Sequence, residues 1–362
     1  MQQNELFENV KRIPRIAIKK YAGSMSGFCS YKIENVNEVC YTLTFKTYNY
    51  FRVWLKYENN HFRWIMKPGD REIYLSESFK IECDEDYDIS LKALDEEIRL
   101  RLPEKLLSSG GWKEREKIKF KGIRRRHDSD EKLETLKSEL IKYFGKDAAN
   151  IAIDKNEKEV AIDFIAYNYL PIDINVDHKG GFGCGVLGEY YTGFWFSTQH
   201  WYDTADLDVF FSEIREALEL RLPDKYLQSR SWLEKSETPD CDHTAKSPKQ
   251  PQLNERDIHE FAERLKLYFG DRSADFIVES QATESGAVSF KISFTAYNYY
   301  IIDIKYSEDD FYWQIDLGGQ YIRIGSGFFP TNIEEADNLL SRMKESIELR
   351  IPDEYLIAKG WR

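Results

Sequence analysis

The stretch Val160–Val176, VAIDFIAYNYLPIDINV, predicts two β-strands joined by a Tyr-Asn-Tyr triplet. Apolar and polar residues alternate over 172–176, which is typical of a half-buried strand. The triplet occurs three times in the chain, each time inside an apolar run. The three copies are Tyr48-Asn49-Tyr50, Tyr167-Asn168-Tyr169 and Tyr297-Asn298-Tyr299. The sequence therefore predicts the same pair of strands three times.

Two further markers keep a constant distance from each triplet. A Leu/Ile-Pro-acid motif places its proline 55 or 56 residues after the first tyrosine, and a tryptophan follows nine residues later. The prolines are Pro103, Pro223 and Pro352, and the tryptophans are Trp112, Trp232 and Trp361. Three markers in register predict three tandem copies of one module. Because triplet, proline and tryptophan recur in every copy, we interpret them as parts of the fold.

Each copy is predicted to follow the plan α-β-β-β-β-α. Such an antiparallel sheet packed with helices belongs to the α+β class. In the first copy we expect a broken opening helix, because Pro14 removes a hydrogen bond and clashes with the preceding turn. The predicted segments are module one at 1–112, a linker at 113–127, module two at 128–232, a flexible linker at 233–253 and module three at 254–362.

Charge is unevenly distributed along the 362 residues, whose net charge is −12. Module one is neutral, whereas modules two and three carry −9 and −8, so they should repel nucleic acid and attract basic partners. The linker 113–127 carries +6 and could contact phosphate. Its candidate nucleic-acid contacts are Lys117, Lys119, Lys121, Arg124, Arg125 and Arg126.

The cysteines and the hydropathy pattern indicate where the protein works. Five cysteines without a C-x-x-C pair argue against a disulfide framework or a zinc site and favour a reducing compartment. The first 20 residues show no signal-peptide pattern, and no stretch approaches the roughly 20 apolar residues of a membrane span. We therefore expect a cytoplasmic protein without a cofactor, a metal ion or a membrane partner.

The glycine-rich run 180–188, GGFGCGVLG, is the motif closest to a ligand site. It lacks a Gly-Lys-Ser/Thr ending, so it predicts a hairpin rather than a phosphate loop. Asp173 and Asp303 occupy equivalent strand positions, but Trp54 stands there in module one. Paired carboxylates for acid-base catalysis therefore cannot be assigned. The lack of an assignable catalytic motif favours a protein that is not an enzyme. The alternative hypothesis is an enzyme with a site in module two.

We interpret the chain as a non-catalytic protein-binding protein, an acidic tandem-module inhibitor or adaptor. This interpretation rests on an analogy with toxin-immunity and counter-defence inhibitors, which are acidic, intracellular binders without cofactors, and not on a shared motif. The expected partner is a protein with a basic surface. Candidate contact residues are Trp195, Trp201, Tyr202, Asp203, Tyr312 and Trp313. A second hypothesis is a nucleic-acid-associated regulator that uses the linker 113–127.

Overall fold

A computed structural model of the chain contains three antiparallel sheets packed with helices, which confirms the α+β prediction. It describes residues 3–21, 23–35, 38–58, 61–110, 129–155, 159–177, 181–186, 195–200, 206–229, 250–251, 253–282, 288–307 and 310–362. Each sheet has five strands that pair in the order of the sequence. The chain divides into two compact units, residues 1–166 with 170–222, and residues 167–169 with 223–362.

The first unit contains two of the sheets. The first sheet and the helices in the same stretch of chain are, in order, α1 (Gln3–Lys20), β1 (Met25–Asn35), β2 (Glu38–Thr47), β3 (Phe51–Glu58), β4 (His61–Met66), β5 (Ile73–Tyr74), α2 (Asp84–Leu100) and α3 (Glu104–Ser109). Elements of the second are α4 (Ser129–Phe144), β6 (Ala148–Lys155), β7 (Glu159–Ala166), β8 (Leu170–Asp177), β9 (Gly181–Val186), β10 (Trp195–His200) and α5 (Leu207–Glu219). Apolar side chains at helical spacing, such as Leu91, Leu94 and Ile98, bury one face of each helix against its sheet.

The second unit contains the third sheet. Its elements are α6 (Asp224–Ser229), α7 (Glu255–Phe269), β11 (Ser273–Ala282), β12 (Val288–Ala296), β13 (Tyr300–Tyr306), β14 (Phe311–Asp316), β15 (Tyr321–Ser326), α8 (Ile333–Glu348) and α9 (Asp353–Ala358). Buried side chains from α7 and α8, among them Leu265 and Met343, form its core together with Phe294 and Ile304. Among the described residues, no helix combines the length and the apolar character that crossing a bilayer requires.

The predicted plan of four strands per module misses the first strand of each sheet. These strands are β1, β6 and β11, and each lies at an edge of its sheet. An edge strand pairs on one side only, so its side chains need not alternate strictly between core and solvent. In β11, for example, Ala274, Asp275 and residues 277–281 are all exposed. The hydrophobic pattern on which the prediction depended is therefore absent there.

The predicted break of the first helix is also wrong, because α1 continues through Pro14. A proline inside a helix costs about 3 kcal/mol. Ile13 and Ala17 lie on either side of it and are 1% and 0% exposed. Burial of this apolar face stabilises the helix against the proline, which illustrates how tertiary packing overrides a local preference.

The Tyr-Asn-Tyr triplets form tight turns between the second and third strands of each sheet. Tyr48 and Asn49 have φ values of 51° and 46°, and Tyr297 and Asn298 have 55° and 45°. The Tyr299 amide donates to the Ala296 carbonyl at 2.9 Å. Two consecutive left-handed residues are the pattern of a type I′ turn, whose twist matches that of the flanking strands. Each triplet therefore reverses the chain with a minimal connection.

The proline motifs connect each closing helix to a short helix. Pro103 precedes α3, and Pro352 precedes α9. The arginine two positions before each proline is fully buried rather than exposed at the helix end, as Arg101, Arg221 and Arg350 show. Trp361 packs against the Tyr297 ring with a centroid distance of 5.3 Å. Trp112 and Trp232 lie outside the described residues.

Candidate interaction surface on the third sheet

The two faces of the third sheet differ in chemistry. Helices α7 and α8 cover one face, and polar side chains line the other. Five residues lie directly opposite one another from β11 to β15, and opposite residues in a sheet point to the same face. This row consists of Ile277, Ser293, Asp303, Gln314 and Arg323. We call the face that carries this row, with its neighbours Lys291, Lys305, Tyr312 and Tyr321, the polar face.

Asp303 lies at the centre of the polar face and is 0% exposed. The Ser293 hydroxyl donates to its Oδ1 at 2.5 Å, and the Lys291 ammonium lies 3.2 Å from Oδ2. A buried carboxylate is costly unless it is paired, so these two contacts stabilise its charge. Gln314 is opposite Asp303 and also buried, and its Nε2 has no hydrogen-bond partner among the described residues. Buried donors normally have partners, so this centre is polar and incompletely satisfied.

A stacked tyrosine and arginine lie beside this centre. The Arg323 guanidinium carbon is 4.3 Å from the centroid of the Tyr312 ring. Its two terminal nitrogens donate to the Asp310 carboxylate at 2.9 and 2.7 Å. Burial raises the pKa of Tyr312, although the Arg323 charge acts in the opposite direction. The fork to Asp310 and the stacking contact together hold Arg323 in one orientation.

A second cation and tyrosine adjoin this pair. The Lys305 ammonium lies 4.9 Å from the centroid of the Tyr321 ring. Tyr321 and Arg323 both remain partly exposed. A cleft of about 370 Å³ borders Tyr312 and is lined by Glu279, Lys291 and Lys305 among others. The polar face thus presents ordered aromatic and cationic groups next to a polar cleft.

The first sheet carries a similar pair with the two residue types exchanged. The Arg63 guanidinium carbon lies 4.5 Å from the centroid of the Tyr74 ring. Arg63 is opposite Lys56, as Tyr312 is opposite Lys305. Tyr74 on the fifth strand occupies the position that Arg323 has in the third sheet. A tyrosine stacked with an arginine therefore occupies equivalent positions in two of the three sheets.

The second sheet differs at these positions. Asp163 and Asp173 lie directly opposite one another, and the row continues through Gly185 to the backbone position of Trp195. The Asn175 amide donates to the Asp173 carboxylate. Residues 181–186 of the glycine-rich run form strand β9, while 180 and 187–188 lie outside the described residues. Glycines in β9 replace the large side chains that the third sheet has there.

The two predicted contact residues of β14 lie on opposite faces of the third sheet. Tyr312 lies on the polar face, half-buried under Arg323. Trp313 points to the opposite face, is 1% exposed, and donates from Nε1 to Ser346 Oγ at 3.1 Å. The prediction of Trp313 as a contact residue is wrong, because neighbouring residues of a strand point to opposite faces.

The other predicted contact residues cannot be compared with the structure. Trp201, Tyr202 and Asp203 lie outside the described residues, as does the side chain of Trp195. The nucleic-acid candidates lie outside them as well, and they are Lys117, Lys119, Lys121, Arg124, Arg125 and Arg126. In the part of the chain that the structure describes, no group of three or more His, Cys, Asp or Glu side chains could hold a metal ion.

Sequence reasoning missed Lys305, Asp310, Tyr321 and Arg323. The signal that could have found them is the alternation in β15, where Tyr321 and Arg323 flank the buried Ile322. Alternation assigns both to one face, but it does not reveal which residues of β13 and β14 they meet. That information depends on strand register.

Comparisons with known proteins identify no relatives by sequence. No protein-family model matches the chain, and no curated protein matches it. One solved structure, the Bacillus megaterium YpeB C-terminal domain, aligns with 7% sequence identity over 87% of this chain and 96% of that chain. Its TM-score is 0.14, which is too low to support an inference about fold or function.

Proposed function

We propose that the protein is a non-catalytic inhibitor or adaptor that binds a basic protein through the polar face of its third sheet. The observation that carries this proposal is the stacked pair of Tyr312 and Arg323 on a face opposite the helices. Tyrosine and arginine are enriched among the few residues that carry most of the binding energy of a protein interface. Because the Asp310 carboxylate already orders Arg323, less side-chain entropy is lost when a partner binds.

The charge of this region supports a basic partner. Residues 254–362 contain 12 basic and 20 acidic side chains, a net charge of −8. At this balance a basic protein is attracted and an acidic one is repelled. On the polar face Lys291 pairs with Asp303 and Arg323 pairs with Asp310. The partly exposed Asp316 and the exposed Glu279 lie at its margin and could pair with lysine or arginine of the partner. We also propose a cytoplasmic location, since the cysteine pattern favours a reducing compartment.

We further propose that the three sheets derive from three copies of one tandem module. In support, the first strand of every sheet shifts its register near a left-handed residue, namely Gly27, Asn150 or Asp275. Each triplet turn also begins with a tyrosine at positive φ. Shared irregularities of this kind are conserved features of a fold rather than defects. The first and third sheets carry a stacked tyrosine and arginine at equivalent positions with the two residue types exchanged. We interpret this as one ancestral face whose side chains diverged between the copies.

The test is a capture of the partner from native host extract with tagged full-length protein, with and without nuclease. We expect a stoichiometric basic protein that survives nuclease treatment. The double variant Tyr312→Ala/Arg323→Ala should weaken its affinity about tenfold or more. The matched control is Arg256→Ala on α7, which removes an equally charged but exposed side chain paired with Glu260. Circular dichroism should show that both variants remain folded.

Two outcomes would overturn the proposal. If the double variant binds the partner as tightly as the control does, the polar face is not the contact surface. If the captured material is nucleic acid, or if every partner disappears after nuclease treatment, the basic segment 113–127 becomes the better hypothesis.

A further inference from the structure

Strand β11 forms one edge of the third sheet and pairs only with β12 among the described residues. It is ten residues long, from Ser273 to Ala282. An edge strand leaves every second backbone N–H and C=O directed away from the sheet. Its outer side is therefore a template onto which another strand can add.

The side chains of β11 do not protect this edge. Proteins usually protect an edge by short strands, proline, lysine or a β-bulge, and the bulge of β11 is confined to its start, between Ala274 and Ile277. The sequence of β11, SADFIVESQA, contains no proline and no basic residue. Ile277 and Val278 are 48% and 43% exposed, and as neighbours they lie on opposite faces of the strand. Both faces of the edge thus offer a β-branched side chain that a neighbouring strand could cover.

The opposite edge of the sheet differs. Strand β15 is only six residues long and carries Arg323. Its Arg323 carbonyl accepts a hydrogen bond from Asn168 Nδ2 at 3.2 Å. A backbone acceptor of β15 is therefore already engaged within the second unit, which leaves β11 as the edge to consider.

Charge identifies the strand that fits β11. Asp275 and Glu279 are exposed, and Glu279 lies opposite Lys291, whose ammonium contacts Asp303 instead. A second copy of this chain would bring the same acids and a net charge of −12 to the edge, so its approach would be repelled. An extended segment with lysine or arginine on one face and apolar residues on the other is complementary to Glu279 on one side and Val278 on the other.

We propose that an extended basic segment of the protein partner adds to β11 as a sixth strand of the third sheet. This inference rests on the proposed function for the basic character of the partner. Strand addition supplies affinity through backbone hydrogen bonds and specificity through alternate side chains. Ile277 begins the row that ends in Arg323, so a strand at this edge extends the polar face.

The test measures amide hydrogen exchange of the full-length protein with three synthetic peptides of about ten residues each. The first alternates lysine and valine, the second glutamate and valine, and the third lysine and proline. We expect the lysine–valine peptide to slow exchange in β11 about tenfold, with no change in β15. The glutamate peptide should have no effect because of repulsion. The proline peptide keeps the charge but lacks the N–H donor at every second residue, and its prolines hold φ near about −65°, so it should not protect β11.

A charge reversal provides the matched control. Glu279→Lys should weaken binding of the lysine–valine peptide about tenfold, whereas Glu255→Lys on the exposed start of α7 should leave it unchanged. The inference is overturned if the peptide binds without slowing exchange in β11, or if both variants act equally. That failure leaves the proposed function intact, because Tyr312 and Arg323 are tested separately with the captured partner.

Discussion

The tyrosine that begins each triplet combines an unfavourable backbone with a buried side chain. Tyr48, Tyr167 and Tyr297 have φ values of 51°, 53° and 55°, although a side chain in the left-handed region costs about 1–2 kcal/mol. All three rings are buried, which contributes about 1.5–3 kcal/mol for a large apolar side chain. The Tyr48 hydroxyl also donates to Asp95 at 2.7 Å. Burial therefore outweighs the backbone cost that glycine would avoid.

Because Tyr48 is buried, the stability of the folded protein should depend on pH in the alkaline range. Burial, and then the Asp95 carboxylate, raises the pKa of Tyr48 from about 10 to about 12. Between pH 10 and pH 12 the unfolded chain has released this proton while the folded protein retains it. The folded state then binds more protons, so stability falls as pH rises through this range. Below pH 10 the contribution is fully present.

The variant Tyr48→Phe cannot release this proton, so we expect a smaller loss of stability from about pH 9 to about pH 11. Urea denaturation of the wild type and the variant at both values measures the difference. Other tyrosines and lysines also titrate there, and the comparison cancels them because both proteins contain them. Equal losses in the two proteins would show that Tyr48 is not the titrating group.

At the scale of elements, the apolar pattern predicted the long helices and the last four strands of each sheet but not the first strand, which lies at an edge. In β13 the alternation of Ile302 and Ile304 with Asp303 is visible in the sequence, because one face of an inner strand is covered. The exposed strand β11 lacks that constraint. The predicted break of α1 at Pro14 was wrong for a related reason. The local cost of a proline in a helix is known from sequence, but the burial of Ile13 and Ala17 depends on tertiary contacts.

The pairing of β14 with β15 requires a glycine at position 325. Gly325 lies directly opposite Trp313, and a Cβ there would be 2.0 Å from indole Cζ2. The indole cannot withdraw, since it is buried and donates to Ser346. Overpacking of this kind typically costs about 1–3 kcal/mol, and we expect Gly325→Ala to reach the upper end. Urea denaturation of the full chain followed by circular dichroism measures it.

The matched control is Gly327→Ala, where the nearest atoms to an added Cβ are 3.9 Å away. We expect this change to stay within about 0.5 kcal/mol. Adding Trp313→Phe to Gly325→Ala should recover part of the lost stability, because the smaller ring makes room for the methyl group. If both alanine variants are equally stable, β15 does not pack closely on Trp313.

At the scale of the whole molecule, the repeated markers predicted three similar units, and the structure contains three five-stranded sheets. Which side chains of neighbouring strands contact one another could not be predicted. The meeting of Tyr312 with Arg323 depends on register, and the burial of Trp313 depends on which face the helices cover. Neither quantity follows from a single sequence, because one residue of slip exchanges the two faces of a strand.

The net charge of −12 and the polar face should act on different steps of partner binding. Long-range charge accelerates encounter and is screened by salt, whereas close contacts govern dissociation. Raising NaCl from about 50 mM to about 500 mM should therefore lower the association rate about tenfold or more and change the dissociation rate little. Tyr312→Ala/Arg323→Ala should mainly raise the dissociation rate. Surface plasmon resonance with the captured partner separates the two rates. A dissociation rate that carries the whole salt effect, with an unchanged association rate, would mean that local ion pairs rather than overall charge attract the partner.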